Sequence, residues 1–346
     1  MNPTWLTFLQ NQQAVIENDR VLHYGDATTE LRHTKNGTVI ADLSHLGLIQ
    51  FSGEDALAFL QGQLTCDVKK IKPDMARHGG YCTHKGRLLA SFQLWQQDDY
   101  LMQLPTNLCA AIQKRLSFFV LRAKVQLTDH SDSLIRIGVA GKNARMLAEE
   151  ISGTKFDPKR RLAVAHSELT SILCQAPNRY EFVTNIKYAP TLWAHLRKHA
   201  IPAGAACWDW LEIQSGIPVI LPATQEQFIP QMVNLDAIEG VSFQKGCYPG
   251  QEIVARTEYL GKIKRRMYLA NISTTAPVTA GDELFSTLMT EQSCGKIVNA
   301  APSPSGGYDV LAVIQMNSVE AGKVHWKTLD DPVLEINPLP YSLLLE

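Results

Sequence analysis

One of the seven cysteines of this chain, Cys247, sits in the run Lys245-Gly246-Cys247-Tyr248-Pro249-Gly250-Gln251-Glu252. Glycine permits φ > 0 and proline fixes φ, so two glycines and a proline around one thiol specify a shaped loop. Gln251 and Glu252 fit the first turn of a following helix, whose unpaired amides and positive dipole end would lie near Cys247. Lys245 adds a cation, and such surroundings depress a thiol's pKa and raise its thiolate fraction. On the helix, Glu252, Arg256 and Tyr259 recur at spacings of four and three, so a carboxylate, a guanidinium and a phenol share one face. The same residues also suit a helix-entry loop with a buried cysteine and an exposed Glu-Arg pair. Residue chemistry alone leaves both readings open.

The other cysteines, Cys66, Cys82, Cys109, Cys174, Cys207 and Cys294, are scattered and never in Cys-x-x-Cys spacing. No disulfide framework is expected, and these six read as inert core thiols in a reducing, cytoplasmic setting. The histidines lack metal-ligand spacing; His195 and His199 lie four apart, but on a helix whose Leu192, Trp193 and Leu196 look structural. No bound metal is expected.

The elements that must position the loop can be read from periodicity. Residues 39–43 and 48–51 are apolar, β-branched-rich runs ended by Ser52-Gly53, after which Ala56, Phe59, Leu60 and Leu64 recur at helical spacing. Residues 100–104 read as a strand before a helix over 107–118, and residues 180–184 as a strand before a helix over 189–199. The Gly53 and Gly141 strand-to-helix junctions resemble each other, which suggests a diverged duplication of an α+β unit. Trp208, Leu211 and Ile213 return to helical spacing, and residues 251–260 give another helix. From Arg266 onward six short strands separated by turn residues suggest a small barrel: 267–272, 283–286, 294–300, 308–315, 323–327 and 333–336.

The length of 346 residues suggests two or three domains. With 45 % hydrophobic and 19 % charged residues the composition is that of an ordinary soluble globular protein. Lys+Arg 33 against Asp+Glu 34 gives no global footprint for nucleic acid or an anionic membrane surface. No window approaches a membrane span, and the N-terminus lacks the pattern of a signal peptide. Local contact with nucleic-acid phosphates could come from Lys262, Lys264, Arg265 and Arg266, although a solvated linker has the same composition.

Four stretches carry a family resemblance: Lys245 to Arg256, the upstream Phe228-Ile229-Pro230-Gln231 with Asn234-Leu235, the earlier Gln61-Gly62-Gln63-Leu64-Thr65 with Asp67-Val68, and the terminal Pro338-Leu339-Pro340-Tyr341-Ser342-Leu343. In this order they resemble the YgfZ family, bacterial folate-binding proteins linked to tRNA modification and iron-sulfur enzyme maintenance and related to the glycine-cleavage aminomethyltransferase, the T-protein. The resemblance implies an α+β, T-protein-like fold: two related ferredoxin-like lobes and a C-terminal β-barrel around a central opening for tetrahydrofolate or a folate derivative. The expected boundaries are residues 1–132, 133–262 and 263–346, with segments of the lobes free to interleave.

The resemblance further implies that Cys247 is the functional thiol, supported by Lys245, Gly246, Tyr248, Gly250, Gln251, Glu252 and Arg256. It puts Trp208, Leu46 and Glu252 beside the folate, with Leu46 standing where relatives carry a tryptophan. T-proteins place a catalytic aspartate on the strand after Lys85-Gly86-Arg87, where this chain has Ala90, which cannot orient an amine or move a proton. The expectation is therefore an accessory factor for iron-sulfur enzymes, such as the radical-SAM enzyme that methylthiolates tRNA, and not a true aminomethyltransferase. The alternative is a folate-dependent one-carbon transferase or demethylase with Glu252 as its acid-base group.

Overall fold

In the computed structural model, residues 1–259, 261, 263–289 and 292–343 are described; Leu260 and Lys262, which end the expected helix and begin the expected cationic cluster, lie outside them. The chain forms two compact units, neither of them continuous in sequence. The first comprises Met1–Ala56, Lys69–Arg77 and Gln93–Trp208, and the second Leu57–Val68, His78–Phe92 and Asp209–Glu346.

The first unit contains a six-stranded sheet in the order Val164–His166, Thr170–Ala176, Arg179–Asn185, Leu134–Gly141, Thr38–Asp42 and Ile201–Ala203. All neighbours are antiparallel except the last pair, in which Ile201–Ala203 runs parallel to Thr38–Asp42. The early strand Thr38–Asp42 thus lies in one sheet with strands from beyond residue 133, while the next strand, Leu46–Ser52, lies in another, between Tyr100–Pro105 and Gln126–Asp129. Interleaving was open in the sequence; a parallel pairing over such a separation has no local signature. Three elements at the chain start had no counterpart in the periodicity reading: the helix Pro3–Asn11, the hairpin Val15–Glu17 with Arg20–His23, and the helix Ala27–Asn36. Their caps explain them. The Asn2 carboxamide accepts from the amides of Thr4 and Trp5, and the Asp26 carboxylate from those of Thr28 and Thr29.

Trp5 anchors the large core of this unit, its ring 5.7 Å edge-on to that of Trp193 and its Nε1 donating to the buried Asp42 carboxylate at 2.7 Å. On the strand Arg179–Asn185, Tyr180 and Phe182 enter that core, whereas Arg179, Glu181 and Val183 point to the opposite face.

The second unit carries six antiparallel strands in the order Val324–Trp326, Glu283–Ser286, Gly295–Pro302, Tyr308–Gln315, Arg265–Ile272 and Leu334–Asn337. An isolated bridge between His325 and Val333 brings the two ends of this sheet together, so it curls into a half-barrel. All six expected C-terminal strands are present. They were legible because each is short, apolar-rich and bounded by turn residues. Leu269, Leu311 and Val313 from this sheet join Ile213, Ile220, Phe228, Val233, Leu235 and Val254 in one core, so the sheet supports the segment that leads into the cysteine loop.

Candidate functional site

The loop around Cys247 is fixed at both ends within the second unit. At its entry, the Thr65 hydroxyl donates to the Gly240 carbonyl at 2.6 Å and accepts from the Gly80 amide at 2.7 Å, while the Ser242 amide donates to the Thr65 carbonyl at 2.9 Å. At its exit, Gly250 adopts φ +82° against the Lys85-Gly86 turn, where a Cβ would come within 2.4 Å of the Thr83 carbonyl oxygen. Gly246 is different: its φ is not positive and a Cβ there would meet nothing within 4 Å. Of the two glycines expected to shape the loop, Gly250 alone has the conformation that requires one.

Lys245 lies across the middle of the loop. Its Nζ donates to the carbonyls of Leu64 at 2.6 Å and Cys66 at 2.9 Å, 5.2 Å above the Tyr248 ring. The Lys245 amine is thus a clasp between two segments about 180 residues apart. Burial lowers its pKa to about 8, against the pull of Cys66 and Asp67 in the other direction. Tyr248 turns inward, and burial together with the Cys82 and Cys66 thiols raises its phenol pKa; burial likewise pushes the Cys82 thiol up to about 12. Cys247 faces outward and is exposed, whereas the other six cysteines are buried.

The remaining stretches belong to the same unit. Gln61 bridges the carboxylate of Asp67 at 2.9 Å and the amide of Val68 at 2.8 Å, bending the segment whose carbonyls receive Lys245. Gln231 donates to the Val254 carbonyl at 2.8 Å, inside the helix Gln251–Tyr259 that follows the loop. Arg266 reaches the Gln231 carbonyl and both carboxylate oxygens of Asp236, each at 2.8 Å. It is therefore an internal strut and not an outward cation of the expected cluster. Asn234 holds Met267 at 2.8 Å, and the Tyr341 hydroxyl donates to the Gly216 carbonyl at 2.8 Å. Gln251 opens the helix, with Glu252 and Arg256 exposed along it and Tyr259 edge-on to Phe243 at 6.0 Å.

Lys245→Met removes a charged donor from two carbonyls and should destabilise the second unit by about 1.5–3 kcal/mol. The effect depends on pH in a definite direction. Below about 8 the amine is protonated in folded and unfolded chain alike, and the cost of burying it is fully present. Between about 8 and the ordinary value of 10.5 the unfolded chain binds the proton and the folded chain does not, so wild-type stability rises relative to Lys245→Met. Urea midpoints of both proteins across this window measure the gap; a gap that narrows with pH would contradict the assignment.

The other candidate residues lie in the first unit. Trp208 is 2 % exposed, with the Arg179 guanidinium 5.3 Å over its ring and Gly138 leaving the space its indole fills. Leu46 begins the strand Leu46–Ser52, half-buried opposite Pro105. Next to Arg179 on the same strand face, the buried Glu181 carboxylate accepts from Gln103 and Gln175, each at 3.0 Å, and Gln175 pairs in turn with Gln93 at 2.7 Å. Among the described residues the buried Gln103 Oε1 and Trp208 Nε1 atoms have no hydrogen-bond partner. Sequence reasoning passed over Gln103, Arg179 and Glu181. The available signal was two charges two apart in an otherwise apolar strand, which puts both on one face of a sheet interior, where a charge is costly unless it is used.

Ala90, the position expected to lack the aspartate, is fully buried in the strand Leu88–Gln96. Its neighbour Ser91 accepts from the Ile220 amide at 2.9 Å and donates to the Pro218 carbonyl at 2.8 Å. Among the described residues no group of three His, Cys, Asp or Glu side chains is arranged to hold a metal ion, and no helix is long and apolar enough to cross a membrane.

Residues 11–242 match the family model for the GCVT N-terminal domain, which ends just before the cysteine loop. The chain is 31 % identical over 312 residues to the tRNA-modifying protein YgfZ of Colwellia psychrerythraea strain 34H, covering 89 % of this chain and 95 % of that one. It is also 31 % identical over 303 residues to the tRNA-modifying protein YgfZ of Escherichia fergusonii, covering 87 % and 92 %. Among solved structures, the glycine cleavage system aminomethyltransferase T from Bartonella henselae superposes with a TM-score of 0.78 at 16 % identity, covering 98 % of this chain and 97 % of that one. At that identity the likeness speaks for the fold alone, which is of the T-protein type.

Proposed function

This chain belongs to the GCVT N-terminal domain family and, within it, to the YgfZ proteins, and from that membership we propose that it is a folate-binding accessory factor for tRNA modification whose working group is the Cys247 thiol. The observation that carries the reading is the loop itself: three separate stretches of chain are hydrogen-bonded so as to hold one cysteine outward while six others are buried. An exposed thiol on a shaped loop suits transient coordination of iron, since thiolates are the ligands of the iron in iron-sulfur clusters. We therefore assign its clients to iron-sulfur enzymes, the radical-SAM tRNA methylthiotransferase among them. Deleting the gene should lower methylthiolated adenosine in tRNA, with recovery on resupply of the wild-type chain; an unchanged nucleoside content in the deletion strain would overturn the reading.

The folate half of the proposal is supported by the polar cluster of the first unit. A reduced folate supplies one-carbon chemistry when bound, and its ring offers an amino-and-N–H edge that pairs with a carboxylate and a carbonyl oxygen that accepts from an N–H donor. Glu181, the unpaired Gln103 Oε1 and Trp208 Nε1 have the complementary chemistry, and Leu46, also expected from the resemblance, belongs to the same unit. Titrating the protein with tetrahydrofolate and following tryptophan fluorescence should give saturable binding. Glu181→Gln, which keeps the shape and loses the charge, should weaken it about 10-fold or more. Equal affinity in the variant would remove Glu181 from the site. Turnover of methylamines that is lost in Glu252→Gln would instead favour one-carbon transfer.

A further inference from the structure

Residues 118–124 leave the helix Thr106–Ser117 in a turn that displays apolar side chains to solvent: Phe118 is 68 % exposed, Phe119 46 % and Leu121 87 %. Such a display is costly in water and marks contact surfaces. The turn is nevertheless closed by its own hydrogen bonds. The Phe119 amide donates to Leu116 at 2.9 Å, the Ala123 amide to Val120 at 2.8 Å, and the Lys124 amide to the Asp55 carboxylate at 2.8 Å, with Leu121 held at φ +46°. Cations flank the rings: Lys114 and Arg115 on the last helical turn, Arg122 and Lys124 beyond them. No acidic residue occurs between Asp99 and Asp129. Lys124 pairs with Glu54 at 2.8 Å, whereas Lys114, Arg115 and Arg122 form no ion pair among the described residues. Lys114 and Arg115 also complement the helix dipole, but that accounts for neither Arg122 nor the outward rings.

We propose that the turn at residues 118–124 and the adjoining helix end dock a single-stranded segment of RNA, unpaired bases stacking on Phe118 and Phe119 and phosphates pairing with Lys114, Arg115 and Arg122. Flat aromatic faces framed by unpaired cations are the two parts such binding requires, stacking for the bases and charge for the backbone. An acidic peptide would use the cations and leave two adjacent rings without a planar partner. The proposal rests on and deepens the tRNA-modification reading by assigning the RNA contact to this turn of the first unit and not to Lys264 and Arg265.

The test is fluorescence anisotropy of the full-length protein with labelled oligouridylate and oligoadenylate of about 12 nucleotides, and with a duplex of the same length, between roughly 50 and 200 mM salt. Single strands should bind and the duplex should bind far more weakly. The Phe118→Ala/Phe119→Ala pair should lose about 10-fold or more in affinity with the salt slope unchanged, and Phe118→Tyr/Phe119→Tyr should retain binding. Arg115→Gln/Arg122→Gln should flatten the slope by about 1.4, at roughly 0.7 per phosphate. Lys264→Gln/Arg265→Gln should change little. Absence of RNA binding, equal binding of the duplex, binding of an acidic peptide alone, or loss on changing Lys264 and Arg265 but not the rings would overturn the proposal. If docking fails while gene deletion still lowers methylthiolated tRNA, only this surface falls and the accessory role stands.

Discussion

Gly250→Ala should cost about 3 kcal/mol or more in stability and collapse the presentation of Cys247, whereas Gly246→Ala, four residues earlier, should stay within about 0.5 kcal/mol of wild type. The contrast follows from the backbone. Gly250 sits at φ +82°, where a side chain is strained by about 1–2 kcal/mol even in open space. The space is not open: an added Cβ would lie 2.4 Å from the Thr83 carbonyl oxygen and 2.6 Å from both the nitrogen and the Cα of Gly86. These are main-chain atoms, and they cannot step aside. The Thr83 amide bonds to the Arg87 carbonyl at 2.8 Å and the Gly86 amide returns to Thr83 at 2.9 Å, so the turn is closed on itself. Displacement would have to pass into the helix Gln251–Tyr259 or the loop before it. Urea midpoints of the two variants, with limited proteolysis to report cleavage between residues 243 and 251, make the comparison. Equal stability of Gly250→Ala and Gly246→Ala would show that the loop is not fixed at its exit.

The importance of this loop was legible in the sequence, but the way it is held was not. Two glycines and a proline around a cysteine announce a shaped turn, and the helix after it follows from the spacing of its residues. The partner of Lys245 could not be read, because a long side chain can reach in any direction and its acceptors belong to residues 64 and 66. Local reasoning aimed the cation at the nearest thiol; the fold aims it at the main-chain carbonyls of Leu64 and Cys66. Arg266 shows the same limit. A run of cations in sequence suggests a solvated or phosphate-binding face, yet Arg266 forks onto Asp236 inside the unit.

The six C-terminal strands and the α+β class were legible from alternation and turn residues, both local signals. Long-range features were beyond that reach: the placing of Thr38–Asp42 beside Leu134–Gly141, the parallel addition of Ile201–Ala203, and the meeting of Glu181, Gln103 and Trp208 around Arg179. The Phe118-Phe119 turn was hidden for another reason. Its residues read as the apolar end of an amphipathic helix, and only the exposure of the folded chain reveals that they face water.

The central claim is that this fold exists to hold the Cys247 thiol outward, and its most direct measurement is the methylthiolated adenosine content of tRNA in a strain whose own copy is replaced by Cys247→Ala. Because Cys247 is exposed and its side chain supports none of the loop's hydrogen bonds described above, the variant should accumulate and unfold like wild type, within about 0.5 kcal/mol. Its tRNA should nevertheless match that of the deletion strain. Wild-type levels of methylthiolated adenosine in the Cys247→Ala strain would contradict the claim and reduce the loop to a helix-entry turn.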